Sequence, residues 1–277
     1  MPKQRNAAGP TGENTPLSFA VASRDSETLD MVDHAVRSRN VKLAYQPVVQ
    51  ALAPTKPAFF EGLIRVMDET GRTIPAREFI DQIETHEIGR IIDCLALDLG
   101  LGALAVDPDL KLSINMSARS IGYKRWLTTL EQGIAQTPNL QGRLILEITE
   151  ASAMIMPDIV QSFMEGLQGK GILFALDDFG AGFTSFRYLK NFCFDILKID
   201  GQFVRDCDTD PDNQVLLQAL ADIARHFEMF TVAESVETAR EAAFLAAIGI
   251  DCLQGYHFGA PALKPAWDVR PAHKKAG

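Results

Sequence analysis

Phe174-Ala175-Leu176-Asp177-Asp178-Phe179-Gly180-Ala181-Gly182-Phe183 decides how this chain is read. The run Gly171 to Leu176 reads as a buried strand bounded by turn signals. It closes in two adjacent acids, and two glycines follow in an otherwise apolar loop. Successive strand side chains point to opposite faces, so Asp177 and Asp178 serve one site only where the strand is ending. Gly180 and Gly182 let the loop take positive φ or approach a ligand closely. Two carboxylates at a strand end repel each other unless a cation lies between them. Taken alone, the stretch is also consistent with a solvated acidic turn.

The neighbouring segments decide against that turn. Val41–Val49 alternates and carries Tyr45-Gln46-Pro47. Pro57–Met67 carries Glu61, and the connection Gln50–Lys56 would make the two an antiparallel hairpin. Strands follow at Leu110–Met116 with Asn115, at Arg143–Ile148 with Glu147, and through the central run to Asp177. Asp195–Ile199 carries Lys198, Phe230–Ala233 runs into Glu234, and Ile250–Leu253 runs into Gln254-Gly255-Tyr256. Helical patterns lie at Ser26–Ser38, Ala76–Ile83, Glu87–Val106, Tyr123–Gln136, Asp158–Gly169, Ser185–Lys190, Asn213–Phe227 and Thr238–Ile248, with Ser26 as the first N-cap. From the third strand on, strand and helix alternate without a break. That is the pattern of a parallel α/β sheet with helical crossovers, and about eight strands predict a closed barrel.

A chain of 277 residues suits one such barrel. Residues 1–24 are expected to be a flexible N-terminal segment, 25–265 the barrel, and 266–277 a flexible tail. A net charge of −9 argues against a nucleic-acid duplex or an anionic membrane as partner, so a phosphate ligand needs a metal or a few arginines. Cys94, Cys193, Cys207 and Cys252 form no CxxC pair and read as idle thiols of a reducing compartment. The most apolar long stretch, Ile91–Val106, is broken by Asp93 and Asp98 and reads as a core helix. A soluble cytoplasmic protein without a membrane segment is expected.

Gln46, Glu61, Asn115, Glu147, Asp177, Asp178, Lys198, Glu234 and Gln254 interrupt or end strand after strand. In a barrel of this kind the carboxyl ends of the strands converge on one mouth, where the active site sits. Carboxylates and an amide are hard oxygen ligands that favour Mg²⁺ or Mn²⁺. Five carboxylates exceed the needs of one divalent ion, so two metals bridged by Asp177, serving displacement at phosphorus, fit the set. Lys198 among acids should stay protonated, to orient water or neutralise charge. Arg65 shares a strand face with Glu61 and could grip a phosphate. Acids and a lysine at strand ends also fit an enolase-like or Schiff-base site, but carboxylates around Lys198 oppose the lowered pKa that a catalytic amine needs.

Tyr45-Gln46-Pro47, Glu61-Gly62-Leu63-Ile64-Arg65, Ile114-Asn115-Met116-Ser117, Glu147-Ile148-Thr149-Glu150, Asp177-Asp178-Phe179-Gly180, Leu197-Lys198-Ile199-Asp200, Ala233-Glu234-Ser235-Val236-Glu237 and Gln254-Gly255-Tyr256 occur in this order over about Leu43–Leu263. This series resembles the EAL family of cyclic-di-GMP phosphodiesterases, which belong to bacterial signalling. The resemblance implies a modified TIM-type (β/α)8 barrel with one antiparallel strand. It implies hydrolysis of cyclic di-GMP to linear pGpG with two Mg²⁺ or Mn²⁺ ions, and a homodimer. Glu61, Asn115, Glu147 and Asp177 would hold one metal; Asp177, Asp178 and Glu234 would hold the other. Lys198 would position the attacking water. Gln46, Leu63, Asp178 and Gln254 would line the substrate site, and Arg65 would contact phosphate. Glu237 would anchor the glycine loop Phe179–Ser185.

The signature Glu-Ala-Leu reads Glu61-Gly62-Leu63 here, and the glycine loop keeps only Thr184 and Ser185 as hydroxyl-bearing residues. Glycine adds backbone freedom at a cost of up to about 1 kcal/mol but removes no ligand. These departures leave a weak or inactive cyclic-di-GMP-binding effector as the alternative. Glu150 and Asp200 read as ordinary salt-bridge partners outside the metal site. Tyr256 and Phe258 fit barrel packing as well as guanine contacts.

Overall fold

The computed structural model describes residues 28–181 and 189–264. Strands β1 (Val41–Gln50) and β2 (Ala53–Met67) pair antiparallel, with Gln46 opposite Glu61. Only Ala51 and Leu52 separate them, so the hairpin is tighter than Gln50–Lys56 suggests. Strand β2 begins at Ala53, four residues before the expected start at Pro57, and Pro57 pairs with Val49 at a register irregularity, where a missing N–H is tolerated. A short β3 (Thr73–Pro75) flanks the end of β2.

The remaining strands are β4 (Leu112–Asn115), β5 (Leu144–Thr149), β6 (Leu173–Phe179), β7 (Ile196–Ile199), β8 (Phe230–Ala233) and β9 (Cys252–Gln254). Their order is β1-β9-β8-β7-β6-β5-β4-β2, and the β1–β2 pairing closes the ring. Strand β1 is antiparallel to both neighbours, while β2 and β4 to β9 run parallel. The eight-strand α/β barrel with one inverted strand is thus present.

Helices Glu87–Val106, Lys124–Gln136, Pro157–Gln168, Pro211–His226 and Ala239–Ala247 wrap the barrel. Their starts follow local chemistry. Pro157 and Pro211 sit in the first turns, where their missing N–H costs nothing. Asp210 accepts from the Asp212 and Asn213 amides, and Thr238 forms a capping box with Glu241. The expected helix Ala76–Ile83 splits into a 3₁₀ turn, Ala76–Glu78, and a short helix, Ile80–Ile83. Residues 28–37 are helical, whereas Ser26 and most of Ser185–Lys190 lie outside the described residues, as do the two expected terminal segments. No helix among the described residues is long and apolar enough to cross a membrane.

The barrel interior explains where the polar residues fall. Val48, Phe59, Ile145, Ala175, Ile196 and Val232 form a small apolar cluster of their own. Two residues further along each upward strand, on the same face, stand Glu61, Glu147, Asp177, Lys198 and Glu234. In β1 the order reverses, and Gln46 precedes Val48, because that strand runs downward. An apolar floor thus carries a polar layer at the carboxyl-end mouth. Alternate strand residues such as Leu146, Leu176, Leu197 and Ile199 face the helices in the main core.

Candidate active site

Strand β6 does not end at Asp177. It runs through both acids to Phe179, which corrects the strand end read from the sequence. Between the pairs Leu176–Leu197 and Phe179–Ile199, β6 advances three residues while β7 advances two. Asp178 is the extra residue of this β-bulge, and its φ of +53° lies in the left-handed region that Asp tolerates better than most residues. The bulge cancels the alternation for one step, so both carboxylates reach the same side. Carboxylate oxygens of Asp177, Asp178 and Glu234 all lie within 4.8 Å of one another.

Lys198 sits at the centre, 1% exposed. Its Nζ is 2.8 Å from Glu147 Oε2, 2.9 Å from Asp177 Oδ1, 2.8 Å from Glu234 Oε1 and 3.6 Å from Glu61 Oε2. Burial works against this ammonium, but Asp177, Glu147, Glu234 and Glu61 together raise it well above the usual lysine range. Three carboxylate oxygens within 2.9 Å favour the ammonium form, which argues against a nucleophilic amine and the Schiff-base reading.

The acids divide around that single cation. Burial would raise Glu61, but Lys198 and hydrogen bonds from Gln254 and Asn115 outweigh it and hold Glu61 below the usual carboxylate range. Burial and the Glu61 charge push Glu147 well above that range. Burial, with Asp177 and Glu61 adding to it, takes Glu234 to about 8. Burial and the adjacent Asp177 take Asp178 to about 6. One lysine does not neutralise this many buried carboxylates, so the set has spare affinity for cations.

The amides orient the layer. Asn115 Nδ2 donates to Glu61 Oε1 at 2.8 Å, and Gln254 Nε2 donates to Glu61 Oε2 at 2.5 Å and to Gln46 Oε1 at 3.2 Å. Gln46 Nε2 in turn donates to Gly259 O at 3.2 Å. Glu147 Oε1 and Gln254 Oε1 are buried without a hydrogen-bond partner, and Asp177 Oδ1 touches Lys198 without a well-aligned bond. Buried oxygens rarely go unpaired, so these atoms and the close acid trio fit hard divalent cations. Glu61, Asn115, Glu147, Asp177, Asp178 and Glu234 are the residues that could hold them.

Beside the acids opens a pocket of about 270 Å³, whose lining includes Gln46, Glu61, Leu63, Glu234, Glu237, Gln254 and Tyr256. Tyr256 is 63% exposed at its mouth, which rules out the packing reading, whereas Phe258 packs against the core. Gly255 is forced here, since a Cβ would lie 2.1 Å from Val236 O. Arg65 stands one step beyond Leu63 on the same face of β2, outside the pocket lining. It is half-buried and donates to Ile64 O, and burial and Arg77 lower its pKa.

Glu150, read from the sequence as an ordinary salt-bridge partner outside the metal site, has a role that the reading missed. It is 5% exposed, and its Oε2 accepts from Gly180 N at 3.1 Å, holding the start of the glycine loop. It interrupts no strand, and its place in the series Glu147-Ile148-Thr149-Glu150 does not by itself reveal a bond to a backbone amide just beyond another strand. Thr184 and Ser185 lie outside the described residues. Asp200 is a helix cap, accepting from Gln202 N at 2.7 Å, and Asp195 ties β7 to β6 through Phe174 N at 2.8 Å.

Fold and site together define a (β/α)8-type barrel with a mouth of carboxylates, amides and one lysine. The EAL domain family model matches residues 29–261, and the chain belongs to that family. The cyclic di-GMP phosphodiesterase PdeB of Shewanella oneidensis is 30% identical over 236 residues, 83% of this chain and 27% of PdeB. The probable cyclic di-GMP phosphodiesterase PdeN of Escherichia coli is 29% identical over 234 residues, 82% of this chain and 44% of PdeN. The chain thus spans less than half the length of either relative. Among solved structures, the PaMucR phosphodiesterase in complex with c-di-GMP superposes with a TM-score of 0.78 at 28% identity, covering 88% of this chain and all of that one.

Proposed function

We propose that this chain hydrolyses one phosphodiester bond of cyclic di-GMP, giving linear pGpG, with two Mg²⁺ or Mn²⁺ ions. The observation that carries the reading is the mouth itself, where Glu61, Glu147, Asp177 and Glu234 surround Lys198 and Asp178 joins them through the bulge. Glu61, Asn115, Glu147 and Asp177 would hold one ion, and Asp177, Asp178 and Glu234 the other. When bound, such ions supply a water nucleophile at neutral pH and offset charge developing on the phosphate oxygens.

The remaining roles belong to the chain. Lys198 holds the attacking water in line and balances the acids. Arg65 binds a phosphate oxygen, with Gln46, Leu63 and Gln254 against the rest of the dinucleotide. Glu237 faces the same pocket, while Glu150 keeps the glycine loop against the Asp177-Asp178 bulge. Residues 25–265 would be the catalytic unit, working as a homodimer in the cytoplasm.

Gly62 does not weaken the reading in favour of a binding-only effector. The room beside it is filled by Ile114, whose Cδ1 would lie 2.7 Å from a Cβ at this position. Glu61 keeps its bonds to Asn115 and Gln254. Purified protein with cyclic di-GMP and Mn²⁺ should release pGpG, and Glu61→Ala should lose at least ~100-fold in turnover while still folding. Tight binding without product in either metal would leave the effector reading instead.

A further inference from the structure

Three consecutive backbone amides follow Asn115, and each is held by a different element. Met116 N donates to Glu147 O at 2.9 Å, Ser117 N to Asp93 Oδ2 at 3.0 Å, and Ala118 N to Ser152 Oγ at 2.8 Å. Asp93 belongs to the helix Glu87–Val106, and its Oδ2 also accepts from Ser120 Oγ at 2.5 Å. One carboxylate therefore fastens both ends of the 3₁₀ turn Ala118–Ser120 to the outer helix. Asp93 is 8% exposed and makes no salt bridge among the described residues. A buried carboxylate without a counter-charge is expensive, so its two hydrogen bonds must secure something of value to the fold or the site.

What they secure is the backbone immediately beyond Asn115. That side chain gives its nitrogen to Glu61 at 2.8 Å, so its carbonyl oxygen is the atom that would serve a cation. We infer that Asp93 is a positioning residue for Asn115: it locks the turn after β4 so that the Asn115 amide keeps this orientation toward the metal. The inference rests on the metal-binding reading above.

The test is Mn²⁺ alone, titrated by calorimetry and followed by its paramagnetic resonance signal, into wild type, Asp93→Ala, Asp93→Asn, Ser120→Ala and Asp98→Asn. Asp93→Ala should bind Mn²⁺ about 10- to 100-fold more weakly, the usual effect of removing a group that orients a ligand. Asp93→Asn keeps an acceptor oxygen for both donors and should stay within about 3-fold of wild type, and Ser120→Ala should fall between. Asp98→Asn, an exposed change on the same helix, should match wild type. Folded Asp93→Ala with wild-type affinity overturns the inference. Should Asp93→Ala not fold, Ser120→Ala decides: unchanged affinity overturns the inference, and weakened affinity supports it. Wild type that takes up no Mn²⁺ overturns the metal reading and this inference together, and the wild-type titration alone tells that result from the others.

Discussion

Glu234 shows how one residue ties the mouth to stability. Its folded pKa of about 8 lies above the ordinary value of 4.5, chiefly because it is buried. The folded state therefore keeps a proton that the unfolded chain has already lost. The stabilisation this gives is full below about pH 4.5 and is lost as pH rises toward 8. Unfolding free energy measured by urea denaturation in EDTA should accordingly fall over that range, by at most about 5 kcal/mol from this group. Glu234→Gln, which cannot titrate, should flatten the profile; a variant profile as steep as wild type would assign the effect elsewhere. Lys198, Glu61, Glu147, Asp177 and Glu234 were legible in the sequence because a core strand has no packing use for a charge. Asp178 was legible as an acid but not as a bulge, since backbone dihedrals leave no mark in residue types that tolerate them. Glu150 and Asp93 were not legible as site residues, because each acts from a helix on a backbone amide elsewhere.

At the scale of elements, β2 and the helix Glu87–Val106 meet through two glycines. Added Cβ atoms at Gly62 and at Gly100 would each lie 2.7 Å from Ile114 Cδ1. Ile114 on β4 thus fills space that both glycines leave. Gly62→Ala should destabilise by about 1–3 kcal/mol through overpacking, even though alanine restricts the unfolded chain more. Ile114→Val alone should cost about 1 kcal/mol, and in combination it should recover most of the Gly62→Ala loss. Urea unfolding of the four proteins measures the coupling; strictly additive effects would reject the shared space. The sequence marked Gly62 as a departure from the family signature, but its reason is a neighbour far away in the chain.

The same helix ends on a buried arginine. Arg143 is 8% exposed and donates Nε to Leu110 O at 2.9 Å and Nη2 to Leu104 O at 2.7 Å, with a further bond to Asp107 O. These carbonyls lie at and just beyond the helix C-terminus, where a cation also suits the dipole. Arg143→Met would leave them unpaired and should cost about 3 kcal/mol in chemical denaturation, with metal affinity of the folded fraction unchanged. Helix and strand spans were readable to within a few residues where periodicity was strong, as at Glu87–Val106. The short helices and the tight β1–β2 turn were not, because tertiary pairing sets them.

Across the whole molecule, the polar layer draws on every strand of the closed ring. Gln46 comes from β1, Glu61 from β2, Asn115 from β4, Glu147 from β5, Asp177 and Asp178 from β6, Lys198 from β7 and Gln254 from β9, with Glu234 just beyond β8. The complete layer thus requires the ring to be closed. A cation bound there should therefore stabilise the barrel as one cooperative unit. At 100 times its dissociation constant, Mn²⁺ binding only the folded state adds about 2.7 kcal/mol. For a domain of this size that corresponds to a rise of roughly 5–10 °C in melting temperature. Calorimetric scans in Mn²⁺ and in EDTA should show one transition each, shifted by about that amount, and Asp177→Asn should remove most of the shift. A second transition that ignores Mn²⁺ would mean that part of the ring melts on its own, and the mouth would then not be an assembly of the whole barrel.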